Sequence, residues 1–213
     1  MKKANIAILI IIIFSFIIAI YLYPQMPDRM ASHWNANGEV DSYMPKFWAL
    51  FLMPMLSAVM FLMFLLIPKL DPLKKNIEKF RKYFDGFVVI MVLFLFYIYI
   101  LTLAWNSDYR FRMAQMIIPA LAILFYYAGI LIQHAKRNWF IGIRTPWTLS
   151  SESVWDKTHR LGGILFKIIA LIILASMLSP RYMLYLFLIP LFAVIIYIFV
   201  YSYLEYKKVK EAR

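Results

Sequence analysis

The residues of this chain best suited to chemistry are its three histidines and the carboxylates near them. Asp156 and His159 fall in "SVWDKTHRLGG", about one helical turn apart. That spacing would let a carboxylate orient an imidazole serving as general base. Arg144, in "GIRTPWT", carries the planar fork that suits phosphate, and His134 lies a short way upstream as a candidate metal ligand. In the first loop, His33 is followed by Glu39 and Asp41, one nitrogen and two oxygen donors of the kind that hold a metal ion. Against these readings, a single His–Asp pair is more often a solvated helix face, and no nucleophile stands out. The chain has no cysteine, which removes thiol chemistry, disulfides and thiolate-bound metal. No catalytic residue, metal or cofactor is therefore expected.

The elements that must position these residues are apolar. Hydrophobic residues make up 64% of the 213 and charged residues only 16%. Mean hydropathy is +0.73. A soluble globule needs more charge to cover its surface. Apolar runs recur from Ile6 to about Tyr23 and over Phe47–Ile67, Phe87–Trp105, Met113–Gln133, Leu161–Leu178 and Tyr182–Leu204. Each is long enough to cross ~30 Å of hydrocarbon at about 1.5 Å per residue. The first follows two lysines, but it is longer than a signal peptide's apolar stretch and no small-x-small site follows it, so it reads as an uncleaved span. The expected fold class is all-α, a polytopic membrane protein of six transmembrane helices. Lys167 falls within the fifth run, where its aliphatic stem can carry the amine toward the interface. No acid lies mid-span, which argues against proton-coupled transport.

The connectors then assign an orientation. Seventeen cations fall on the side of the two termini: Lys2 and Lys3, the group from Lys69 to Lys82, the loop from Lys136 to Arg160, and the tail from Lys207 to Arg213. Five fall on the other: Arg29, Lys46, Arg110, Arg112 and Arg181. Lys and Arg gather on cytoplasmic loops, so both termini are expected in the cytoplasm. The net charge of +12 follows from this asymmetry and does not call for nucleic acid. Three regions result: 1–67, a two-span unit with an extracytoplasmic loop over 24–46; 68–112, a basic connector, third span and short outer loop; and 113–213, holding a cytoplasmic loop over 134–160.

Two loops are rich in polar residues. In the outer one, Asn37-Gly38 is a favoured two-residue turn, so a short hairpin or compact loop could present His33, Trp34 and Asn35 on one arm and Glu39 and Asp41 on the other. This is either a recognition surface or a capped loop with Trp34 and Tyr43 in the aromatic belt. In the inner loop, Pro146 pushes Thr145 toward extended geometry, and Gly142 is permissive. A helix is expected from about Ser151, capped by Ser150 or Ser151, with Glu152 and Asp156 near its positive end. Asp156 and Arg160 share a face, as do Trp155 and His159. Gly162-Gly163 allows a bend before the fifth span. Trp139, Trp147 and Trp155 recur every eight residues, as in a segment lying at the headgroup level.

The inner stretch "NWFIGIRTPWTLSSESVWDKTHRLGG" resembles the signature of SdpI-type membrane proteins, immunity proteins against the sporulation-delay toxin. The outer stretch "YPQMPDRMASHWNANGEVDSYMPK" is similar to the small domain of unknown function that commonly precedes that signature. The resemblance implies a multi-pass plasma-membrane protein that gives resistance to a secreted antimicrobial toxin peptide. It also implies signalling, by sequestering a cytoplasmic transcriptional repressor at the membrane. The partners implied are the toxin peptide, that repressor and membrane lipids, with no direct nucleic-acid binding. Carried over residue by residue, the inner signature is Asn138, Gly142, Arg144, Thr145, Pro146, Trp147, Trp155, Thr158, His159 and Arg160. The outer motif is Pro27, His33, Asn35, Gly38 and Asp41, to which the hairpin reading adds Trp34. The alternatives are a membrane enzyme acting on a lipid or peptide at the cytoplasmic interface, and a peptide exporter.

Because the chain lacks cysteine, single introduced cysteines report sidedness without background. Ser42→Cys should react with a membrane-impermeant maleimide on intact cells, and Ser150→Cys only after permeabilisation. Labelling of both from one side would reverse the orientation.

Overall fold

The computed structural model describes residues 2–35 and 38–211. The chain is mostly helical, with one small sheet. Its elements are α1 (Lys2–Leu22), β1 (Arg29–Trp34), β2 (Val40–Pro45), α2 (Lys46–Leu70), α3 (Lys74–Lys79), α4 (Arg81–Asn106), α5 (Met113–His134), α6 (Pro146–Ser150), α7 (Glu152–Ala175) and α8 (Met183–Glu211), with two 3₁₀ turns between α7 and α8.

Six helices are long and apolar enough to cross a membrane: Lys3–Leu22, Lys46–Leu70, Arg81–Asn106, Met113–His134, Glu152–Leu178 and Pro180–Glu211. Each contains one of the six apolar runs almost entirely, and several are longer because polar residues continue the helix past the hydrocarbon-length stretch. Large apolar side chains such as Ile10, Ile13, Ile20, Leu171 and Ile196 are exposed on these helices. Such a surface is stable against lipid and not against water. Backbone groups in a span must bond within it, and this explains why α5 and α8 continue through Pro119 and Pro190.

The chain divides into two compact units. One comprises Met1–Phe64 and Val88–Leu121, the other Leu65–Phe87 and Ala122–Arg213. Helices α2, α4 and α5 contribute residues to both.

In the first unit, the core is built from Ala19, Met26, Met30, Ala49, Leu50, Tyr99 and Leu103. The hairpin β1–β2 is antiparallel, with Met30 opposite Met44 and Ala31 opposite Tyr43, and its register slips near His33. It is an addition to the all-α expectation. Of the predicted Asn37-Gly38 turn, Asn37 lies outside the described residues, while Gly38 has φ +84°, a conformation that favours glycine.

In the second unit, α7 packs along α8 and is met by α5. The predicted bend at Gly162-Gly163 does not occur, since α7 runs unbroken from Glu152 to Ala175. The two glycines serve close packing instead. A Cβ on Gly163 would lie 2.5 Å from the Gly129 carbonyl oxygen of α5, and one on Gly129 would lie 2.6 Å from that of Gly163. This is the small-residue contact by which membrane helices approach each other. Beside it, the Lys167 amine donates to Gln133 Oε1 at 2.5 Å, close to the end of α5. The lysine thus finds a polar partner by extending its stem.

Gly163→Ala should push α5 away from α7 at a cost of about 1–3 kcal/mol. It should appear as a lower thermal unfolding midpoint of the detergent-solubilised protein. An unchanged midpoint would mean that the helices are not in contact there.

Candidate functional sites on the two loops

The inner loop, between α5 and α7, has little regular structure, so its backbone groups need partners from side chains. Asn138 supplies four bonds. Fully buried, it donates from Nδ2 to the carbonyls of Lys136 and Ile141, both at 2.8 Å, and its Oδ1 accepts from the N–H groups of Phe140 and Ile141 at 2.9 and 2.6 Å. Asp71, buried just after α2, accepts from Leu73 N–H at 2.6 Å and from Trp139 N–H at 2.8 Å. Asn76 donates to the Arg137 carbonyl at 2.8 Å.

The loop next crosses His159. Gly142 has φ +107°, and a Cβ there would strike the His159 ring. Glycine is therefore required twice over, by its conformation and by the close approach. His159 is 1% exposed and stacks on Trp155 with ring centroids 3.8 Å apart. Its Nε2 accepts from the Ile143 N–H at 3.0 Å, so that nitrogen carries a lone pair and the ring is neutral. Nδ1–H then donates to the Trp155 carbonyl at 2.9 Å. Both ring nitrogens are committed to backbone groups. Asp156, meanwhile, is exposed and pairs with Lys136 at 3.3 Å. The geometry separates the predicted His–Asp pair and leaves His159 no free nitrogen for general-base work. Asp156 and Arg160 share the exposed face of α7, where the carboxylate turns to Lys136.

Pro146 sets the next step. Thr145 is extended, at φ −100° and ψ 161°, and caps α6: its Oγ1 accepts from the Thr148 N–H, while its own N–H donates to Thr148 Oγ1 at 2.9 Å. The Thr148 hydroxyl in turn donates to the Ile143 carbonyl at 2.8 Å. Pro146–Ser150 closes into a single helical turn because these two threonines satisfy its free end. The Thr145 hydroxyl also lies 3.1 Å from that of Ser202 on α8. Ser151 caps α7 by accepting from Val154 N–H.

The three tryptophans do not form one interfacial belt. Trp155 is fully buried and donates from Nε1 to the Ala135 carbonyl at 2.7 Å. Trp147 is half-buried against Phe199 and Tyr203. Trp139 is 52% exposed. A period of eight on the sequence places residues on one face only where the helix is continuous, and the loop is not.

Of the inner signature, Asn138, Gly142, Thr145, Trp155 and His159 come together in this knot, while Thr158 is buried on α7 with its hydroxyl unpartnered. Arg144, Pro146 and Arg160 are exposed, Arg144 donating to the Trp139 carbonyl at 2.8 Å. Contributors that escaped the sequence reading include Thr148, Asp71, Asn76, Ser202 and Glu205. Glu205 is 5% exposed on α8 and accepts from Lys157 and Lys208, each at 2.7 Å. An acid next to lysines near the end of an apolar run hints at such an ion pair, but nothing in the sequence names Lys157 as the partner. His134, the proposed metal ligand, stacks on Tyr83 at 3.6 Å and bonds the Ile130 carbonyl.

On the outer hairpin, His33 Nδ1 lies 2.5 Å from Asp41 Oδ1 across the strands, and both residues are exposed. Asn35 accepts from Glu39 N–H and donates to Glu39 Oε2, each at 3.0 Å, which closes the hairpin end. Glu39 therefore does not join His33 and Asp41, and no group of three metal-binding side chains occurs among the described residues. Trp34 packs edge-on against Trp105 at 5.4 Å, and its indole N–H is buried without a partner. Asn106, at the end of α4, grips β1: it accepts from the Ala31 N–H at 2.8 Å and donates to the Ala31 carbonyl at 3.1 Å.

Beside this grip opens a cleft of about 740 Å³, walled by Leu22, Met26, Pro27, Tyr43 and Trp105 and edged by Arg29 and Arg110. Pro27 is the one predicted outer residue that lines it. The Arg110 guanidinium sits 3.9 Å above the Trp105 ring and bonds the Trp105 carbonyl and Asp108. Asp108 ends α4 in a left-handed conformation, φ 69°, which aspartate tolerates better than most residues.

The knot allows a sharp test. Asn138→Asp keeps the shape but loses both donors and adds a buried charge, which should cost about 3–5 kcal/mol. The detergent-solubilised variant should unfold at a markedly lower temperature, or fail to accumulate. Wild-type stability would show that Asn138 does not hold the loop.

Comparison with known proteins matches these two regions separately. Residues 10–58, which include the hairpin, match a domain of unknown function, DUF1648. Residues 134–202, which include the inner loop and most of α7 and α8, match the SdpI/YfhL protein family. Over 212 residues the chain is 25% identical to the immunity protein SdpI of Bacillus subtilis (strain 168), covering 99% of this chain and all of that protein. No solved structure matches. The chain is thus similar to the SdpI/YfhL protein family behind a region similar to DUF1648, in that order, with similarity to the immunity protein running from end to end.

Proposed function

We propose that this chain is a plasma-membrane immunity protein, which protects the cell that carries it against a secreted toxic peptide. The observation that carries the reading is its similarity to an immunity protein over the full length of both chains. A match confined to the inner loop would leave the outer hairpin without a role. Both termini lie in the cytoplasm in this reading, supported by the six candidate spans and the excess of cations on the terminal side. The hairpin then faces outward and meets the peptide, and the inner loop faces the cytoplasm.

Signalling through a repressor held at the membrane fits the inner loop's surface. Trp139 and Phe140 are exposed next to the cations Arg144 and Lys136, an aromatic and basic face that a cytoplasmic protein can use. For a relay, toxin and repressor must favour the same arrangement of the helices. The enzyme alternative loses its main support because His159 is spent on backbone bonds. The exporter alternative has no acidic pathway to use, and Lys167 is taken by Gln133.

Expression of the full chain in a host killed by the toxin of its B. subtilis relative's system, with membrane insertion verified, should raise survival strongly over the empty vector. Unchanged survival with normal insertion would sink the immunity reading.

A further inference from the structure

The geometry points to the lipid-facing groove between α5 and α7 as a binding site for an anionic phospholipid, with Lys167 and Arg160 on its phosphate. Such a site does not depend on a toxin, since the groove lies on a surface that the bilayer itself must cover.

Lys167 lies inside the apolar run Leu161–Leu178. A charge at such a position calls for a partner. Among the described residues no carboxylate pairs with it, and its amine has the neutral Gln133 Oε1 instead. The course of its stem is set by α5. A Cβ on Gly129 would lie 2.9 Å from Lys167 Cγ, so the lysine crosses α5 through the notch this glycine leaves. Its amine stands 5.8 Å from the centre of the Tyr126 ring. Gln133 is the last residue but one of α5, so the amine arrives at the end of that span, near the level of the phosphates. An ammonium has three N–H groups, and Gln133 takes one of them.

Arg160 precedes Lys167 by two helical turns on the unbroken α7, which puts both on one face. Gln133 joins them, because its Nε2 donates to the Arg160 carbonyl at 3.5 Å. The Arg160 side chain is exposed, and the acid one turn before it, Asp156, is paired with Lys136. The groove therefore carries two cations beside one amide. Toward the bilayer centre it turns apolar. Ile164 and Leu171 continue the face of α7, Ile123 and Tyr126 flank it on α5, and all four are exposed. A soluble anion would meet the cations and leave this strip bare. A zwitterionic lipid would cover the strip but bring a cation of its own to the two already there. An acidic peptide would have to bring unpaired backbone groups into hydrocarbon. A lipid with a net negative headgroup matches the charge and lays an acyl chain along the strip, as in basic pockets between membrane helices generally.

The test uses the full chain, delipidated in a nonionic detergent, with native mass spectrometry counting the lipids bound. Phosphatidylglycerol and phosphatidylcholine of identical acyl chains are titrated separately. The first phosphatidylglycerol should bind about tenfold tighter than the first phosphatidylcholine, the scale expected of two cations at one phosphate. Lys167→Met keeps an apolar stem without the charge and should cut that preference to about twofold or less. Arg160→Gln, at an exposed position, should cut it to about threefold. Lys75→Gln removes an exposed cation of α3 that takes no part in the groove and should leave the preference as it is. Binding of phosphatidylcholine should stay at the wild-type level in all three variants, which separates loss of charge from loss of fold. Should Lys167→Met fail to accumulate, the other two variants decide. Equal binding of the two lipids by the wild type would overturn the proposal. A preference that survives both groove variants would do the same, as would one that falls equally in Lys75→Gln, the mark of diffuse attraction to a basic surface. Displacement of phosphatidylglycerol by excess inorganic phosphate would assign the cations to a soluble anion and end the lipid reading.

Discussion

The bond from the Ile143 N–H to His159 Nε2 fixes the inner loop. It requires a neutral imidazole, a glycine at position 142 so that the chain can pass over the ring, and Trp155 beneath to hold the ring flat. Each requirement draws in another. Trp155 is placed by its own bond to Ala135, at the end of α5. Gly142 follows directly on the four bonds of Asn138. A histidine that looks like a catalytic base in the sequence acts here as a hydrogen-bonding wedge. Its chemistry is spent on architecture, which is the commoner fate of a fully buried polar side chain.

The outer loop solves a related problem by other means. A two-stranded hairpin is marginal in water on its own. Here one edge is closed by Asn106, which mimics a third strand with one side-chain amide, and Met30 is buried in the core with Met26 and Leu50. The other edge is left mostly open, interrupted by Pro45 and partly covered by Arg29. An edge closed on one side and interrupted on the other is how small sheets avoid indiscriminate pairing.

The sequence revealed the helices and hid the knot, and the physics explains both. A span advertises itself through some twenty consecutive apolar residues, because lipid tolerates nothing else. The alternation at the hairpin was weaker, and only Gly38 marked it. In the inner loop, the pairing of Gly142 with an extended Thr145 was readable from Pro146, as was the cap at Ser151. The roles of Asp71, Asn76 and Ser202 were not. They lie 68, 61 and 57 positions from their partners, and no local pattern encodes such distances. The Gly162-Gly163 pair shows the same limit. Glycine in a helix permits either a bend or a close neighbour, and only the position of Gly129 decides between them.

What the chain leaves unsatisfied is as informative as what it satisfies. Within the knot, backbone donors and acceptors are met by Asn138, Asp71, Asn76 and His159, so those residues have little left to offer a ligand. Groups with spare bonding capacity include the exposed Arg144 and Arg160 on the inner loop, and Arg29 and Arg110 at the outer cleft. A group already committed inside the fold cannot bind a partner without breaking the structure that positions it. The inner signature is then best understood as a frame: its buried members set where Arg144 and the neighbouring aromatic surface stand.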